Sequence, residues 1–457
     1  MTSKLAKSIF HKPIQYLLAI TLLWMPVVCF AVVNVAAPPY SAVGDGQTND
    51  TAAFQNALAA VGASGGGVVY VPAGKYVISG ILAVPNGTTL EGDGESATTI
   101  ESQVLGSSTL AIQGEFAKVK NMSIHWASST TPTAGTIGIY SAVGPANQGY
   151  QANDIELSHL DVTNFYDNIY INGSINSIVS DIYTTNAVHD GIVGLGSQGY
   201  WSNLVVVANQ GDGVYLGTST NKNAGVAPFM TGIQTFSNGG WGIHTVIGIF
   251  LGGTPSYLNN DSQGELLIDG GSQADSGHVA NVDIQFAGQN SFYPTSGYPN
   301  VSNAPGVEVT TNSGPVRFTD VSMFNNNGSG FDLEVGSVQV SNARILGSGQ
   351  GGSGYCVDSV GSGSQFTNIS CNTPAMISGS TTIVHGSMFT TVSNSLPSLQ
   401  ISSGSNLIVS DNVIYGGGSA PALVVSSGVT LANASNTVIG AVNNSGAASG
   451  YYTPMFH

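Results

Sequence analysis

The feature that most constrains this chain is a short unit that recurs at nearly even intervals through its middle. Each copy has a Gly or Asn at its second position and an apolar residue at its third, and all but WGIHT begin with a polar residue. The copies are DNIYI (167–171), DGIVG (190–194), DGVYL (212–216), WGIHT (241–245) and SGFDL (329–333). A repeat of about two dozen residues without a helical period predicts one turn of a parallel β-helix, which must stack on its neighbours to bury its apolar face.

An asparagine lies three or four residues before each copy, and a second apolar alternation precedes it. These asparagines are Asn164, Asn186, Asn209, Asn238 and Asn326. Asn tolerates the left-handed backbone of a tight turn, and stacked Asn side chains can hydrogen-bond along a ladder. We therefore predict an all-β solenoid with Asn at a recurring turn.

The repeat is interrupted in the second half of the chain. The stretches at about 246–278 and 287–308 are too long for one turn, and a third long stretch covers 127–153. We interpret the first two as inserted loops, which on a solenoid tend to gather on one face and line a binding surface.

The N-terminal segment 1–31 has the layout of a secretory signal peptide. Lys4, Lys7 and Lys12 precede the apolar run IQYLLAITLLWMPVV, and a small-residue cleavage site ends at Ala31. An uncleaved membrane anchor is the alternative, because the run is nearly long enough to span a bilayer. With cleavage, residues 32–457 form a single domain that is extracellular or periplasmic and not bound to a membrane.

Cleavage would leave a strongly acidic protein. It removes three of the nine Lys and Arg residues and none of the 25 acidic residues, so the net charge changes from −16 to about −19. This charge argues against nucleic acid as a partner, and against polyanionic substrates unless a cation bridges them. The sequence leaves the oligomeric state open.

Two cysteines remain after cleavage, Cys356 and Cys371. In an oxidising compartment they are expected to form one disulfide. Two buried free thiols are the alternative.

The stretch VGDGQTNDTAAFQNAL, from residue 43, does not match a phosphate loop or a calcium loop. No Lys-Ser/Thr pair follows its glycines, and an EF-hand counted from Asp45 would have Asp50 and Asn56 where it needs Gly and Glu. Asp50 is instead a suitable N-cap for a short helix with Phe54 and Leu58 on one face. We predict a helix that covers the open first turn of the coil.

This stretch continues into GGGVVYVPAGKYVISG and NGTTLEGDG, and together they resemble the opening of the pectate-lyase superfamily, the group with rhamnogalacturonases, mannuronan epimerase modules and phage tailspikes. The similarity covers roughly residues 34–100 and departs from the family at APPYS and at Asn49. It is carried by Asn34-Val35, Ala42 to Ala53, Gln55, Ala57-Leu58, Gly65 to Pro72, Gly74, Tyr76, Ile78 to Gly80, Leu90 and Gly92 to Gly94. The resemblance implies a right-handed parallel β-helix with a short N-terminal capping helix. It does not imply one chemistry, because the family holds lyases, hydrolases, epimerases and non-enzymes.

Three aspartates begin consecutive copies of the repeat and would stack in one column. These aspartates are Asp167, Asp190 and Asp212. Because neighbouring strands lie about 4.8 Å apart, the carboxyl groups of neighbouring aspartates would be near the separation found in retaining glycosidases. Those of Asp167 and Asp212 would approach the larger separation found in inverting glycosidases. Like charges at this distance raise one pKa, as a general acid requires. With His189 they are our candidate catalytic residues. The alternative is that Asp-Gly at a corner of the coil only caps backbone amides.

Aromatic and imidazole side chains near this column are candidates for binding sugar rings by stacking. Three would share an outward position on neighbouring turns, and three lie in the Pro/Gly/Ser-rich loop, where they could instead pin the loop. These residues are Tyr170, Tyr215 and His244, and Phe292, Tyr293 and Tyr298.

Two further groups are weaker candidates because their spacing fixes no catalytic geometry. One is a second column with a histidine, and the other is a set of acids and a histidine in the first predicted insertion. They are His159, Asp181 and Asn203, and Asp261, Glu265, Asp269, Asp275, His278 and Asp283.

These observations favour a secreted polysaccharide-cleaving enzyme that binds a glycan along the side of the coil. Hydrolysis is slightly favoured over β-elimination, because only six Lys and Arg residues remain after cleavage and a lyase would depend on Ca²⁺ held by the aspartates. The Tyr-x-x-Asp-Pro-His motif of the epimerase modules and the motif set of polygalacturonases are absent. The alternative is a non-catalytic carbohydrate-binding or cell-surface protein. We assign no metal ligand and no certain cofactor, and expect Ca²⁺ only for a lyase.

Overall fold

A computed structural model describes residues 31–142, 152–218, 227–269, 277–289, 300–311, 315–349, 354–391, 395–432, 435–445, 447–449 and 453–454. The predicted signal peptide lies outside these residues except for Ala31. The three loop aromatics, Phe292, Tyr293 and Tyr298, also lie outside them. Across the described part of the chain, no helix is long and apolar enough to cross a membrane.

The predicted capping helix covers Thr51–Ala63 and buries Phe54 and Leu58. Asp50 is at the N-cap position, but its side chain does not cap the helix. Its carboxylate instead accepts hydrogen bonds from the backbone N–H groups of Val43 (2.7 Å) and Gly44 (3.1 Å). Asp50 therefore fastens the preceding segment to the start of the helix.

Within the described residues, the smaller of two parallel sheets has 15 strands, which stack in chain order along the coil. Their bounds are Leu82–Val84, Ser108–Ile112, Ile137–Ala142, Asp167–Asn172, Ile192–Leu195, Val214–Gly217, Trp241–Thr245, Gly264–Asp269, Val307–Thr311, Phe331–Leu333, Val357–Ser359, Ala375–Ser378, Leu399–Ser403, Leu423–Val425 and Val442–Asn444. This stacking is the parallel β-helix predicted from the repeat.

The larger sheet has 27 strands in the part of the chain that the structure describes. Their bounds are Ala31–Asn34, Asp45–Asn49, Gly67–Val71, Gly74–Ile78, Thr88–Gly92, Thr98–Ser102, Lys118–Trp126, Glu156–Thr163, Ser177–Thr185, Gly199–Val207, Phe229–Phe236, Phe250–Leu251, Ser256–Asn259, Gly277–Gln285, Val316–Phe324, Val338–Ser341, Arg344–Leu346, Gln365–Thr367, Ser370–Cys371, Ile383–His385, Met388–Thr391, Leu407–Ser410, Val413–Gly416, Thr430–Ala432, Thr437–Ile439, Ala447–Ser449 and Thr453–Pro454. Three long central strands each contain a left-handed residue, His159 (φ 53°), Asp181 (φ 55°) or Asn203 (φ 54°). The chain bends at these residues, so the second predicted column is a structural corner of the coil.

The recurring asparagines occupy two adjacent positions of the turn rather than one. Asn164 and Asn186 have left-handed φ values of 68° and 57°. Asn209 and Asn238 lie one position further along and are fully buried, and the Asn209 Nδ2 donates to the Asn238 Oδ1 (2.9 Å). The predicted left-handed turn and the predicted hydrogen-bonded ladder therefore belong to different columns.

One hydrophobic cluster runs through the coil from Val35 to Val438. Most of the stretch 246–278 belongs to this coil, so the inserted loop predicted there is wrong for residues 250–269. Phe250–Leu251, Ser256–Asn259 and Gly264–Asp269 all pair in register with strands of the preceding turn. The sequence pattern hid this turn because two of its strands have only two and four residues.

Cys356 and Cys371 are joined by a disulfide, with their Cα atoms 5.9 Å apart. Both side chains are buried in the core. The bond links the smaller sheet to the larger one within a single turn of the coil.

Candidate active site

Asp167, Asp190 and Asp212 occupy equivalent positions on three consecutive turns. Ile169 pairs with Ile192, and the next strand continues the same register. Each aspartate lies two residues before the paired position. Asp167 begins its strand of the smaller sheet, and Asp190 and Asp212 precede theirs by two residues. The column expected from the repeat is therefore present in the fold.

Each carboxylate of the column holds the backbone of the following turn. Asp167 Oδ1 accepts from the Asp190 N–H (3.2 Å), and Asp190 Oδ1 accepts from the Asp212 N–H (2.8 Å). Asp212 Oδ1 accepts from the Trp241 N–H (2.8 Å). The aspartates thus cap backbone amides at a corner of the coil, which is the structural alternative to a catalytic role. These bonds also fix the three side chains in place, which a catalytic role would need.

Two histidines contact the same column. His189 Nδ1 lies 2.9 Å from Asp167 Oδ1 and 3.3 Å from Asp190 Oδ2. His244 Nδ1 lies 2.8 Å from Asp212 Oδ2. The His189 side chain is 50% exposed, whereas those of Asp167 and Asp190 are 10% and 8% exposed. An accessible imidazole therefore lies between two nearly buried carboxyl groups.

The surroundings of this cluster raise the pKa values of Asp190 and His189. Burial, and then the charge of neighbouring Asp212, raise the pKa of Asp190 to about 7. The hydrogen bond with Asp167 is the main reason that the pKa of His189 is raised. Near neutral pH, Asp190 is therefore a carboxyl group that still carries its proton in a large fraction of molecules. Such a group can act as a general acid.

The predicted sugar-stacking residues of the coil form one outward row beside the aspartates. Tyr170 aligns with Val193, Val193 with Tyr215, and Tyr215 with His244. The rings of Tyr215 and His244 meet edge to face with their centroids 5.0 Å apart. The row thus contains three rings of the kind that stack on sugars, and Val193 separates Tyr170 from Tyr215.

The same outward row continues into three acids that the sequence analysis missed. Glu308, Asp332 and Asp358 are in register on consecutive turns. Burial is the first cause that raises the pKa of each, to about 6 for Glu308 and Asp332. The signal was an acid between two apolar or small residues in VEV, FDL and VDS. Of these, only FDL lies in a copy of the repeat, and its acid is at the fourth position of that copy, not at the first position that defines the aspartate column.

The Lys and Arg residues that the structure describes all lie in strands of the larger sheet. They are Lys75, Lys118, Lys120, Arg317 and Arg344. Arg317 aligns with Gln339 and Arg344 with Ser322, so the two arginines do not share a position of the turn. Over its described strands, the smaller sheet therefore presents carboxylates, aromatic rings and imidazoles without a Lys or Arg.

Asp261, Glu265 and Asp283, three of the other acids proposed from the sequence, do not join the site, whereas Asp269 ends a strand of the smaller sheet. Asp261 and Glu265 are fully buried inside the coil, and Asp261 Oδ1 accepts from the backbone N–H and the Nδ2 of Asn238 (2.7 and 2.8 Å). His278 and Asp283 lie on the larger sheet, and Asp275 lies outside the described residues.

Residues 32–244 match the family model described as rhamnogalacturonase A/epimerase, pectate lyase-like. The chain is 27% identical over 265 residues to mannuronan C5-epimerase AlgE5 of Azotobacter vinelandii, covering 54% of this chain and 25% of that protein. It is 37% identical over 80 residues to the pre-neck appendage protein of Bacillus phage B103, covering 17% of this chain and 9% of that protein. The chain thus spans a quarter or less of the length of the curated relatives named here.

Two solved protein structures are similar to this chain. The A-module of mannuronan C-5 epimerase AlgE4 from Azotobacter vinelandii has a TM-score of 0.42 and 18% identity, covering 93% of this chain and 100% of that one. The Agl-KA catalytic domain has a TM-score of 0.49 and 13% identity, covering 93% and 68%. The family model matches residues 32–244, and the parallel coil continues beyond them, so this chain is similar to the pectate-lyase-like family of that model over just under half of its length.

Proposed function

We propose that this chain is a secreted polysaccharide-cleaving enzyme that binds a glycan along the smaller sheet and hydrolyses it. The observation that carries the proposal is Asp190, a nearly buried carboxyl group with a pKa raised to about 7 between two aspartates of neighbouring turns. Glycoside hydrolysis needs one carboxyl group that keeps its proton near a second carboxylate. The curated relatives named for mannuronan epimerisation support a polysaccharide as the substrate class.

In this mechanism Asp190 donates its proton to the glycosidic oxygen. Asp167 and Asp212 each lie one strand away, at about 4.8 Å, which is close to the separation of the two carboxyl groups in retaining glycosidases. One of them then acts as the nucleophile, and Asp190 afterwards activates the water that releases the sugar. The spacing predicts that the anomeric configuration is retained. His189 and His244 orient the flanking carboxylates through their Nδ1 contacts.

The distribution of charge favours hydrolysis over β-elimination. Elimination from a uronate requires a cation that neutralises the sugar carboxylate, and the described Lys and Arg residues all lie in the larger sheet. A lyase would therefore need Ca²⁺ on the aspartate column. The same charge distribution makes a neutral or amino-sugar glycan a better substrate than a polyuronate.

A substrate panel tests this proposal. Residues 32–457 are incubated with a neutral glucan, chitosan, polygalacturonate and mannuronan, each with Ca²⁺ or with EDTA. Hydrolysis predicts new reducing ends that are insensitive to EDTA and no ultraviolet absorbance from an unsaturated product. Proton NMR of the products reports epimerisation and the configuration of the released anomer. An unsaturated product that requires Ca²⁺ would replace hydrolysis by elimination.

Asp190→Asn tests the role of the central carboxyl group. The amide keeps an Oδ1 acceptor for the Asp212 N–H but cannot donate a proton as an acid, so we expect a loss of about 10²- to 10⁴-fold in kcat. Asp320→Asn is the matched control, because Asp320 has the left-handed backbone of the exposed corner and only accepts from Asn342 Nδ2 (3.1 Å). The control should keep full activity.

The alternative is a non-catalytic carbohydrate-binding or surface protein. It is favoured by the hydrogen bonds from the aspartate column to the backbone of the next turn, which give these residues a purely structural reason to be present. Glycan binding without cleavage on any substrate of the panel would establish this alternative and exclude the enzyme.

A further inference from the structure

Asp167, His189 and Asp190 bring three metal-ligating atoms together at the surface of the coil. One ligand atom from each residue lies within 4.8 Å of the other two. His189 Nδ1 is 2.9 Å from Asp167 Oδ1 and 3.3 Å from Asp190 Oδ2. The set therefore combines one imidazole nitrogen with two carboxylate oxygens.

These separations match those of ligands that share one small cation. Zn²⁺ binds His nitrogen and carboxylate oxygen at about 2.1 Å, so two of its ligands lie about 3.0 Å apart at an octahedral angle and about 3.4 Å apart at a tetrahedral angle. The two measured separations from His189 Nδ1, 2.9 and 3.3 Å, correspond to these values. Little movement of His189 relative to either carboxylate would be needed to bind such an ion.

The three side chains are held from several directions. Asp167 Oδ1 and Asp190 Oδ1 each accept a backbone N–H from the following turn. The ring of Tyr166 stacks on that of His189, with centroids 5.0 Å apart and planes 13° apart. The half-exposed side of His189 leaves a path for an ion from solvent. The ligands are thus ordered before binding, and one side of the cluster stays accessible.

We propose that Asp167, His189 and Asp190 bind a late first-row divalent cation of the Zn²⁺ class. The nitrogen ligand and the low ligand count disfavour Ca²⁺, which takes six to eight oxygen ligands. Three protein ligands also leave a position for water, as in open zinc sites. To bind the ion, His189 Nδ1 gives up any proton that it shares with Asp167, Asp190 gives up its carboxyl proton, and these protons leave to solvent. The site does not depend on the hydrolysis proposed above, and that hydrolysis uses the ion-free state, in which Asp190 keeps its proton.

Titration with Co²⁺ tests the site, because this ion reports its coordination by visible absorption. Residues 32–457, with any affinity tag removed, should bind one equivalent, and Zn²⁺ should displace it. Loss of a ligand in His189→Ala should weaken binding by on the order of 100-fold or more, since even outer-shell changes cost 10- to 100-fold. His244→Ala is the matched control, because His244 makes the same kind of Nδ1 contact to a single aspartate, Asp212 (2.8 Å).

A second variant distinguishes the loss of a metal ligand from a folding defect. Asp167→Asn keeps an Oδ1 acceptor for the Asp190 N–H and removes the ligand charge, and far-ultraviolet circular dichroism checks both variants. Weaker Co²⁺ binding in His189→Ala and Asp167→Asn, with normal binding in His244→Ala, supports the site. The proposal is overturned by the absence of a saturable equivalent, by unchanged binding in His189→Ala, or by an equal loss in His244→Ala. The hydrolysis assay in EDTA has its own outcome, so either proposal can fail alone.

Discussion

Replacement of Asp190 by Asn should make the stability of this protein less dependent on pH. The Asp190 side chain is 8% exposed, and its Oδ1 accepts from the Asp212 N–H at 2.8 Å. An Asn Oδ1 can accept the same bond. The substitution therefore removes the ionisable group while it keeps the link to the next turn.

The expected magnitude follows from the pKa of Asp190, which rises from an ordinary 3.8 to about 7 in the folded protein. Between these values the folded state binds a proton that the unfolded chain has lost, so the free energy of unfolding falls as pH rises through this window. Above a pH of about 7 the wild type has lost up to about 4 kcal/mol from this one group. Asp190→Asn does not titrate and should gain that amount relative to wild type at high pH.

Guanidinium unfolding of both proteins at a pH of about 5 and about 8.5 measures this difference. The variant should become more stable relative to wild type by several kcal/mol between the two conditions. For Asp320→Asn, at an exposed corner of the coil, the free energy of unfolding should differ from that of the wild type by the same small amount at both pH values. The difference in the free energy of unfolding between Asp190→Asn and wild type should therefore change between the two pH values. If it changes by less than about 0.5 kcal/mol, which is typical of a surface substitution, the burial argument for Asp190 is wrong.

Three more predictions concern activity, the core and export. Cleavage activity should fall as pH rises above about 7, because the pKa of Asp190 is about 7 and the acid loses its proton there; a pH–rate profile that stays flat to alkaline pH would contradict this role. Asn238→Ala should lower the free energy of unfolding by about 1–3 kcal/mol, because it breaks the buried ladder and leaves polar partners unpaired; denaturant unfolding would show a smaller effect if the ladder were dispensable. Exported protein should begin at Val32 by N-terminal sequencing, and an intact leader on membrane-bound protein would favour the anchor instead.

The repeat predicted the fold and much of the candidate site because a coil converts spacing along the chain into position in space. Asp167, Asp190 and Asp212 start successive units at nearly equal intervals, and each interval is the length of one turn of the coil. Residues at the same phase of the repeat must therefore stack. The row of Tyr170, Tyr215 and His244 followed from the same argument, and the register bears it out.

The prediction failed where the spacing varied or the strands were short. The turn through residues 250–269 was taken for an insertion because its polar segments hide strands as short as two residues. Asp261 and Glu265 were assigned to that predicted insertion, but their positions in the turn direct their side chains into the core. Glu308 was missed because the stretch before it breaks the repeat, and Asp332 because its copy has Ser329 at the position of the aspartate column.

By itself, the sequence determined the parallel coil, its capping helix and the membership of the aspartate column, because these depend on local pattern and on the length of one turn. Only the tertiary structure decided the chemistry available to that column. His189 contacts Asp167 of the preceding turn, and His244 contacts Asp212 in the same way. The pKa of Asp190 depends on how neighbouring turns exclude water and place charge around it. Those contacts form between turns, and the spacing within the sequence does not record which way each side chain points.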